Sequence, residues 1–227
     1  SRGYVQQSTH PEEVGAALDA GPVTFYIGFD PTGPSLHVGH LMQIVLMARL
    51  QQQGHRPIAL VGGGTARVGD PTGRTDLRQM LTDEQIAVHS AAFRRQLERF
   101  LVLDGERGLL VDNADWLLEL KYIPFLRDIG RQFSVNKMLT SEAYKMRLER
   151  GLSFIEFNYQ ILQAYDFLEL SRRQGCQLQI GGDDQWGNII AGVDLVRREQ
   201  QTRVWGLTTP LLTTASGAKM GKTAAGA

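Results

Sequence analysis

The sequence contains little cysteine, no long apolar run and no excess of charge of either sign. Its 227 residues include one cysteine, Cys176, so an internal disulfide is impossible. No apolar stretch approaches the roughly 18 residues that a membrane span needs, and the first residues lack the apolar core of a signal peptide. Lys plus Arg and Asp plus Glu each number 24, so no global basic field would attract a polyanion. We expect a cytoplasmic protein without a membrane segment, whose contacts with any nucleic acid are local.

Strand-like and helix-like patterns alternate along much of the chain. Residues 24–29 are rich in aromatic and branched side chains, and a turn-forming segment follows at 30–34. Apolar residues three and four positions apart then predict a helix that stops at Gly54; they are Leu41, Ile44, Val45 and Ala48. Residues 57–61 form a second predicted strand. The three elements make a parallel, right-handed strand, helix, strand unit.

Later segments repeat this alternation. Short apolar runs at 109–111 and 178–180 predict two more strands, and residues 81–103 and 188–199 predict helices. Gly-rich and Asp-rich loops follow several of the strands. The sequence therefore predicts an α/β fold with a doubly wound parallel, Rossmann-like sheet and helices on both faces, which binds its ligand at the carboxyl edge of the strands.

Residues 117–170 depart from the alternation because their pattern is mainly helical, with predicted breaks near Pro124, Gly130 and Gly151. Their apolar content is high for the outer layer of a sheet. Two interpretations are open: an inserted helical segment at about 117–160 that carries a dimer surface, or ordinary core.

Two histidines three residues apart, His37 and His40, lie where the first strand's loop meets the first predicted helix. The free amides and the positive dipole end of a helix start favour phosphate, and imidazoles add hydrogen-bond donors. Gly39 between them lets a nucleotide lie close to the backbone. Taken alone, such a pair is more often two polar loop residues.

Two lysines with the same spacing, Lys219 and Lys222, flank Gly221 near the end of the sequence, and Thr223 follows them. Two ammonium groups and a hydroxyl can close over a triphosphate and stabilise charge that develops on a leaving pyrophosphate. A basic Gly/Ser loop by itself is more often a solvated turn. Together the two pairs favour a nucleotide site, because the histidines supply a phosphate site at a helix start and the lysines supply a loop that can close over it.

With these two signatures, residues 37–40 and 219–223, the chain resembles a class I aminoacyl-tRNA synthetase, and more closely the bacterial type of tyrosyl-tRNA synthetase. Further segments match that family in its expected order, at 26–32, 59–63, 69–71, 133–136, 163–166, 179–182 and 184–188. The resemblance implies that residues 1–227 form the catalytic domain. It also implies that the C-terminal anticodon-binding domains of the family are absent from this sequence.

The resemblance assigns a set of residues to tyrosine. Tyr26 and Asp166 match the family's pair at the phenol hydroxyl, Asp70, Tyr159 and Gln163 match the ammonium partners, and Gln185 matches a residue near the carboxylate. The spacing agrees for one subset, since residues four and three apart on a helix lie on one face. The side chains of Tyr159, Gln163 and Asp166 can therefore converge on one ligand.

A second set of residues is assigned to ATP and to catalysis. The ATP-binding positions are Gly28, Asp30, Gly39, His40, Gly182, Asp184, Leu211 and Leu212. The catalytic positions are Thr32, His37, His40, Lys219, Lys222 and Thr223. Mg²⁺ is expected to arrive with ATP, held mainly by phosphate oxygens, without a dedicated metal site in the protein. Asp183 and Met220 differ from the commonest residues of the family, and Asp183 adds a negative charge beside the predicted ribose site.

The expected reaction joins tyrosine and ATP into tyrosyl-adenylate and pyrophosphate, after which the intact protein transfers tyrosine to tRNA(Tyr). A homodimer is expected from the resemblance and from the apolar helical segment. Three alternatives remain open from the residues: a tryptophanyl-type synthetase, a small-molecule adenylyltransferase, and a non-catalytic truncated synthetase that acts as a binding module.

Overall fold

A computed structural model of the chain describes residues 3–72, 80–149, 151–215 and 220. The strands are β1 (Gln7–Ser8), β2 (Thr24–Phe29), β3 (Arg56–Val61), β4 (Leu109–Asp112), β5 (Leu178–Gly182) and β6 (Trp205–Thr209). The helices are α1 (Pro11–Ala20), α2 (Val38–Gln52), α3 (Asp83–Leu97), α4 (Ala114–Leu117), α5 (Tyr122–Asp128), α6 (Val135–Met138), α7 (Glu142–Leu148), α8 (Phe154–Gln174) and α9 (Trp186–Gln200). Short 3₁₀ turns lie at Thr65–Arg67, Gly130–Gln132 and Asp183–Gln185.

The strands form one sheet in the order β1, β6, β5, β2, β3, β4. All neighbouring pairs are parallel except β1 with β6, which is antiparallel. The predicted doubly wound α/β fold is confirmed, with an antiparallel edge strand that the sequence patterns do not include. β1 has only two residues, too few to produce an alternation that a pattern could detect.

The two faces of the sheet carry separate apolar clusters because successive side chains of a strand point to opposite sides. Phe25, Ile27 and Phe29 of β2 pack in one cluster with buried residues of α1, α2 and α3. Tyr26, between them, packs in the other cluster with α8 and α9. Helices therefore cover both faces, as predicted.

Helix α8 crosses the core and supplies one wall of the candidate site. Its start is fixed by a capping box in which Ser153 and Glu156 bond each other's backbone N–H groups, and it ends at Gly175 in the left-handed conformation, with φ of 62°. A buried ion pair joins Glu156 to Arg147 of α7 at 2.9 Å. The capping box and Gly175 thus set where α8 begins and ends, and the ion pair ties its first turn to α7.

The structure has a break in the helical pattern near each predicted position between 117 and 170, and the one near Pro124 lies at 118–121, between α4 and α5. Pro124 lies inside the first turn of α5, where its missing N–H costs no intrahelical bond. Gly130 does end that helix region by starting a 3₁₀ turn, and Gly151, with φ of 96°, precedes α8. The long helix or helix pair predicted at 81–103 is one helix, α3, of 15 residues.

The sheet changes winding direction between β2 and β5. The chain leaves β2 through α2 to β3 on one side, and leaves β5 through α9 to β6 on the other. Loops diverge at such a switch point and open a crevice beyond the carboxyl ends of the strands. No helix among the described residues has the length and apolarity needed to cross a membrane.

Candidate active site

A cavity of about 490 Å³ opens at this crevice. Its lining includes every predicted site residue that lies in the described part of the chain: Tyr26, Gly28, Asp30, Thr32, His37, Gly39, His40, Asp70, Tyr159, Gln163, Asp166, Gly182, Asp184, Gln185, Leu211 and Leu212. Lys219, Lys222 and Thr223 lie outside the described residues. The fold therefore brings residues from positions 26 to 212 to one cavity, although their individual roles remain predictions.

Asp166 is the buried carboxyl group at one end of the cavity, with 2% of its surface exposed. Trp116 donates its indole N–H to Oδ1 at 2.8 Å, and Asn113 donates its amide N–H to Oδ2 at 2.9 Å. Burial raises the pKa of Asp166 to about 8, although these two hydrogen bonds oppose the rise. Each carboxyl oxygen retains a further lone pair, so the group can accept a hydrogen bond from a ligand.

Tyr26 of β2 lies at the same end of the cavity. Its hydroxyl oxygen is buried and has no hydrogen-bond partner among the described residues. Burial, and secondly the charge of Asp166, raise the pKa of this phenol well above its usual value, so the hydroxyl stays protonated. A buried, unpartnered polar group is costly unless a ligand satisfies it. Tyr26 and Asp166 thus present an unsatisfied hydroxyl beside a hydrogen-bond acceptor.

A network of hydrogen-bonded side chains extends from Asp166 and supports this end of the site. Asn113 also donates to Thr65 Oγ1 at 3.0 Å, and Thr65 donates to Asp30 Oδ1 at 2.7 Å. Asp30 Oδ2 accepts from the Tyr159 hydroxyl at 2.8 Å. Asp30, predicted at the ATP site, therefore also orients Tyr159.

The middle of the cavity is lined by amide and carboxylate groups that bond one another. Gln185 donates to Asp70 Oδ2 at 2.8 Å, and Asn188 donates to the side-chain oxygens of Gln163 and Gln185, both at 3.1 Å. Acceptors outnumber cations here, which suits an ammonium group. Since Gln163 lies one helical turn from Tyr159 on α8, both side chains reach the cavity from one helix face.

The two histidines cap the start of α2. His37 Nδ1 accepts from the N–H of Gly39 at 3.1 Å, and His40 Nδ1 accepts from the N–H of His37 at 3.1 Å. Because both Nδ1 atoms accept, the proton of each neutral ring lies on Nε2, which can donate. The rings stack with centroids 3.8 Å apart. The prediction that the pair lies at the junction of loop and helix is confirmed.

Gly39 is required by close packing against a distant segment. A Cβ atom at this position would lie 2.9 Å from the carbonyl oxygen of Met220 and 3.0 Å from His37 Cε1. Met220 in turn donates its N–H to the carbonyl of Leu212 at 2.7 Å. Met220, the second residue of the second signature, therefore lies against Gly39 of the first, 181 residues away in the sequence.

The loop after β5 separates two adjacent carboxylates. Asp184 lines the cavity, and a Cβ at Gly182 would lie 2.8 Å from its Oδ1 and 2.9 Å from Leu211 Cδ2, so both side-chain ends would have to shift if Gly182 were replaced. Asp183 instead accepts from Gln7 Nε2 at 2.7 Å and Thr208 Oγ1 at 2.8 Å, on the side of β1 and β6. The extra negative charge is thus held away from the cavity by two donors.

Sequence reasoning did not assign Asn113, Trp116, Thr65 or Asn188 to the site. One signal was available for Asn113, which directly follows β4 and hence lies at the carboxyl edge of the sheet. Nothing local connects Trp116 to Asp166, 50 residues later.

Comparisons with known proteins agree with this geometry. The profile of the family described as tRNA synthetases class I (W and Y) matches residues 18–227. A C-terminally truncated mitochondrial tyrosyl-tRNA synthetase from Aspergillus nidulans superposes with a TM-score of 0.84 at 31% identity, covering 97% of this chain and 70% of that one. The chain belongs to the tyrosyl-tRNA synthetases. The predicted resemblance to this family is confirmed.

Curated members of the tyrosyl-tRNA synthetase family match the whole chain. The tyrosine–tRNA ligase of Acetivibrio thermocellus is 59% identical over 226 residues, which cover 100% of this chain and 55% of that protein. The corresponding ligase of Caldanaerobacter subterraneus is 58% identical over 226 residues, again 100% of this chain and 56% of that protein. The chain spans just over half the length of these relatives.

Proposed function

We propose that this chain activates tyrosine with ATP to form tyrosyl-adenylate and pyrophosphate. The observation that carries the proposal is the pairing of Asp166 and Tyr26 in one buried end of the cavity. A phenol hydroxyl both donates and accepts, so it can donate to Asp166 while accepting from Tyr26. Phenylalanine would leave the buried Tyr26 hydroxyl without a partner and would give Asp166 no hydrogen bond beyond those from Trp116 and Asn113.

The same pairing disfavours tryptophan. An indole N–H only donates, so it could satisfy Asp166 but would leave the Tyr26 hydroxyl without an acceptor. The tryptophanyl alternative is therefore weaker on the geometry, because one buried donor would stay unpaired at a cost of about 1–3 kcal/mol.

Beyond the phenol, the cavity supports binding of the amino acid's other groups. The ammonium group is assigned to Asp70, Tyr159 and Gln163, and the carboxylate to a position near Gln185. Gln185 already bonds Asp70, and Gln163 and Tyr159 bond Asn188 and Asp30. These side chains are therefore oriented before a ligand arrives, which lowers the entropic cost of binding.

The other end of the cavity is assigned to ATP. Gly182 and Asp184 are placed at the ribose, Leu211 and Leu212 at the adenine, and Thr32 with His37 at the outer phosphates. The remaining assignments are Gly28, Asp30, Gly39 and His40 along the nucleotide, and Lys219, Lys222 and Thr223 as the closing segment. Mg²⁺ is proposed to arrive with ATP, and the described residues contain no cluster of three or more His, Cys, Asp or Glu side chains suited to a metal.

The chemistry needs no nucleophile from the protein. A carboxylate oxygen of tyrosine attacks the α-phosphorus of ATP, the bond from that phosphorus to the bridging oxygen breaks, and pyrophosphate leaves with the electron pair. Donors from His37 and His40 would stabilise the charge on the outer phosphates in the transition state. The protein contributes positioning and charge stabilisation.

Tyrosine-dependent exchange of labelled pyrophosphate into ATP tests this proposal, with each of the other amino acids as a control. We expect exchange with tyrosine and at most trace exchange with phenylalanine or tryptophan. Exchange driven by tryptophan but not tyrosine would contradict the proposal. Absence of exchange together with absence of tyrosine and ATP binding in calorimetry would favour a non-catalytic binding module.

The whole protein is proposed to transfer tyrosine to tRNA(Tyr) in the cytoplasm, and residues 117–160 are proposed as an inserted segment that carries a homodimer interface. Support for the interface comes from exposed apolar side chains in this region, namely Leu118, Tyr122, Ile123, Leu126, Val135, Leu148, Phe154 and Ile155. Light scattering at micromolar concentration should give twice the mass of 25.2 kDa, whereas a monomeric mass would contradict the interface for this chain.

A further inference from the structure

The loop at residues 30–37, between β2 and α2, is held at both ends by side chains of α3. His89 Nδ1 lies 3.1 Å from the carbonyl oxygen of Pro31. Because a carbonyl only accepts, Nδ1 carries the proton and donates. Gln96 Oε1 accepts from the N–H of Leu36 at 3.2 Å. One helix thus makes a hydrogen bond with each end of the loop.

These two side chains share one face of the helix. His89, Phe93 and Gln96 are four and three residues apart, which places them within roughly 60° of one another around the axis. Phe93 lies between them, is fully buried, and meets the ring of His40 edge-on with centroids 5.9 Å apart. We call His89, Phe93 and Gln96 the α3 stripe.

The bonded backbone groups directly precede two residues assigned to phosphate. Pro31 is followed by Thr32, and Leu36 is followed by His37. Neither His89 nor Gln96 is among the described residues that line the cavity. The hydrogen bonds of the α3 stripe therefore reach the site through the loop, and Phe93 reaches it through the ring of His40.

We propose that the α3 stripe positions the phosphate-binding loop for the transition state, with His89 and Gln96 as positioning residues. The inference rests on the proposed function, since it assumes that Thr32 and His37 meet the outer phosphates of ATP. Catalysis by orientation is sensitive to small shifts, and a displacement of about 1 Å can cost about a hundredfold in rate. The stripe supplies this orientation from outside the cavity.

Paired substitutions separate the hydrogen bonds from packing. His89→Ala and Gln96→Met remove the donor and the acceptor. His89→Asn keeps a donor near the position of Nδ1, and Gln96→Glu keeps an acceptor. Val88→Ala and Arg95→Met are matched controls at exposed positions of α3.

The measurement is tyrosine-dependent pyrophosphate exchange, with kcat counted per active site, together with the tyrosine Kd measured without ATP. We expect His89→Ala and Gln96→Met each to lower kcat about three- to tenfold, and the Asn and Glu variants to recover most of the loss. The tyrosine Kd should stay within about twofold of wild type, because the α3 stripe does not touch that end of the cavity.

Two results would overturn the inference. One is wild-type kcat and KM for ATP in both loss variants; the other is a fall in tyrosine affinity that matches the fall in kcat, which indicates general loss of structure. Pyrophosphate exchange by the wild-type chain and by the two control variants tests the proposed function independently of the α3 stripe. If they show no tyrosine-dependent exchange, the proposed function fails and this inference fails with it.

Discussion

The two ends of the cavity are built in different ways. The phenol end consists of buried side chains on regular elements, with Asp166 on α8 and Tyr26 on β2, braced by Asn113 and Trp116. The nucleotide end, which we propose binds ATP, consists of half-buried loop residues and glycines, where Gly39 lies close to the carbonyl oxygen of Met220. Under the proposed function, selection of the amino acid would depend on a preformed buried site, whereas use of ATP would depend on bringing loops together.

The largest expected effect comes from removing the acceptor at the phenol end. Asp166→Ala should reduce the preference for tyrosine over phenylalanine, measured as the ratio of kcat/KM values, by about 10²- to 10⁴-fold. Tyrosyl-tRNA synthetases are themselves the standard example of this preference, with about 10⁵ against phenylalanine, so that scale comes from the family and not from this structure.

Asp115→Ala serves as the matched control, because Asp115 is an exposed carboxylate one residue before Trp116. It should retain the wild-type preference. If the ratio of kcat/KM for tyrosine to kcat/KM for phenylalanine in Asp166→Ala stays within about threefold of wild type, the phenol end does not recognise a hydroxyl.

Burial of Asp166 at the phenol end also predicts that the stability of the fold depends on pH. The pKa of Asp166 rises from 3.8 to about 8 on folding because the carboxyl is buried. The folded state then holds a proton that the unfolded state has lost, so this group's contribution is complete below pH 4 and is lost as pH rises towards 8. Titration of Asp166 therefore lowers the free energy of unfolding by at most about 1.4 kcal/mol for each unit that the pH rises.

Urea unfolding of wild type and Asp166→Asn between pH 5 and pH 8 measures this slope. The free energy of unfolding of wild type should fall more steeply with pH than that of the variant, which has no carboxyl to titrate. Parallel profiles would mean that Asp166 titrates normally and that the phenol end is wetter than its burial indicates.

At the nucleotide end, Gly39→Ala should slow activation while leaving tyrosine binding intact. The added methyl would press on the Met220 carbonyl and the His37 ring, and overpacking of this kind costs about 1–3 kcal/mol. We expect kcat for pyrophosphate exchange to fall about tenfold, with the tyrosine Kd unchanged.

Gly15→Ala on α1 is the control for this change, because a Cβ at that position meets no atom within 4 Å. It should behave as wild type or slightly more stable, since alanine favours helix. Loss of tyrosine affinity in Gly39→Ala would show that the two ends of the cavity are not independent.

The smallest expected effect comes from removing the charge of Asp183, which lies beside the proposed ribose site. Asp183→Asn should change KM for ATP by less than about twofold, because Gln7 and Thr208 already hold that carboxylate away from the cavity. Asp184→Asn, one residue along, should raise KM for ATP about tenfold because this side chain lines the cavity. Equal effects in a steady-state titration with ATP would contradict the separation of the two groups.

The sequence predicts the strand, loop and helix around His37 and His40 better than it predicts the side chains that support Asp166. Loop and helix patterns around His37 and His40 are local, so the strand, the loop and the start of α2 follow from residues within one short segment. Asn113 and Trp116 act on Asp166 only after β4 and α8 have packed on the same sheet. Such contacts are set by tertiary structure, which a pattern in one segment does not encode.

The two strands that the sequence patterns do not predict, β1 and β6, escape detection because tertiary packing or short length overrides the local pattern. β1 is too short to show alternation, and β6 carries Gly206 where a strand pattern would favour a branched residue. That glycine is needed because a Cβ there would collide with Ile189 of α9. Helix packing against the sheet, not strand propensity, decides the residue.

The most direct test of a preformed phenol end is equilibrium binding of tyrosine and phenylalanine to the chain in the absence of ATP. Isothermal titration should show one tyrosine bound per chain, with phenylalanine at least about a hundredfold weaker, because the hydroxyl satisfies Asp166 and Tyr26 without help from the nucleotide end. Tyrosine binding that appears only when ATP is present, or phenylalanine affinity within about tenfold of tyrosine, would contradict the account.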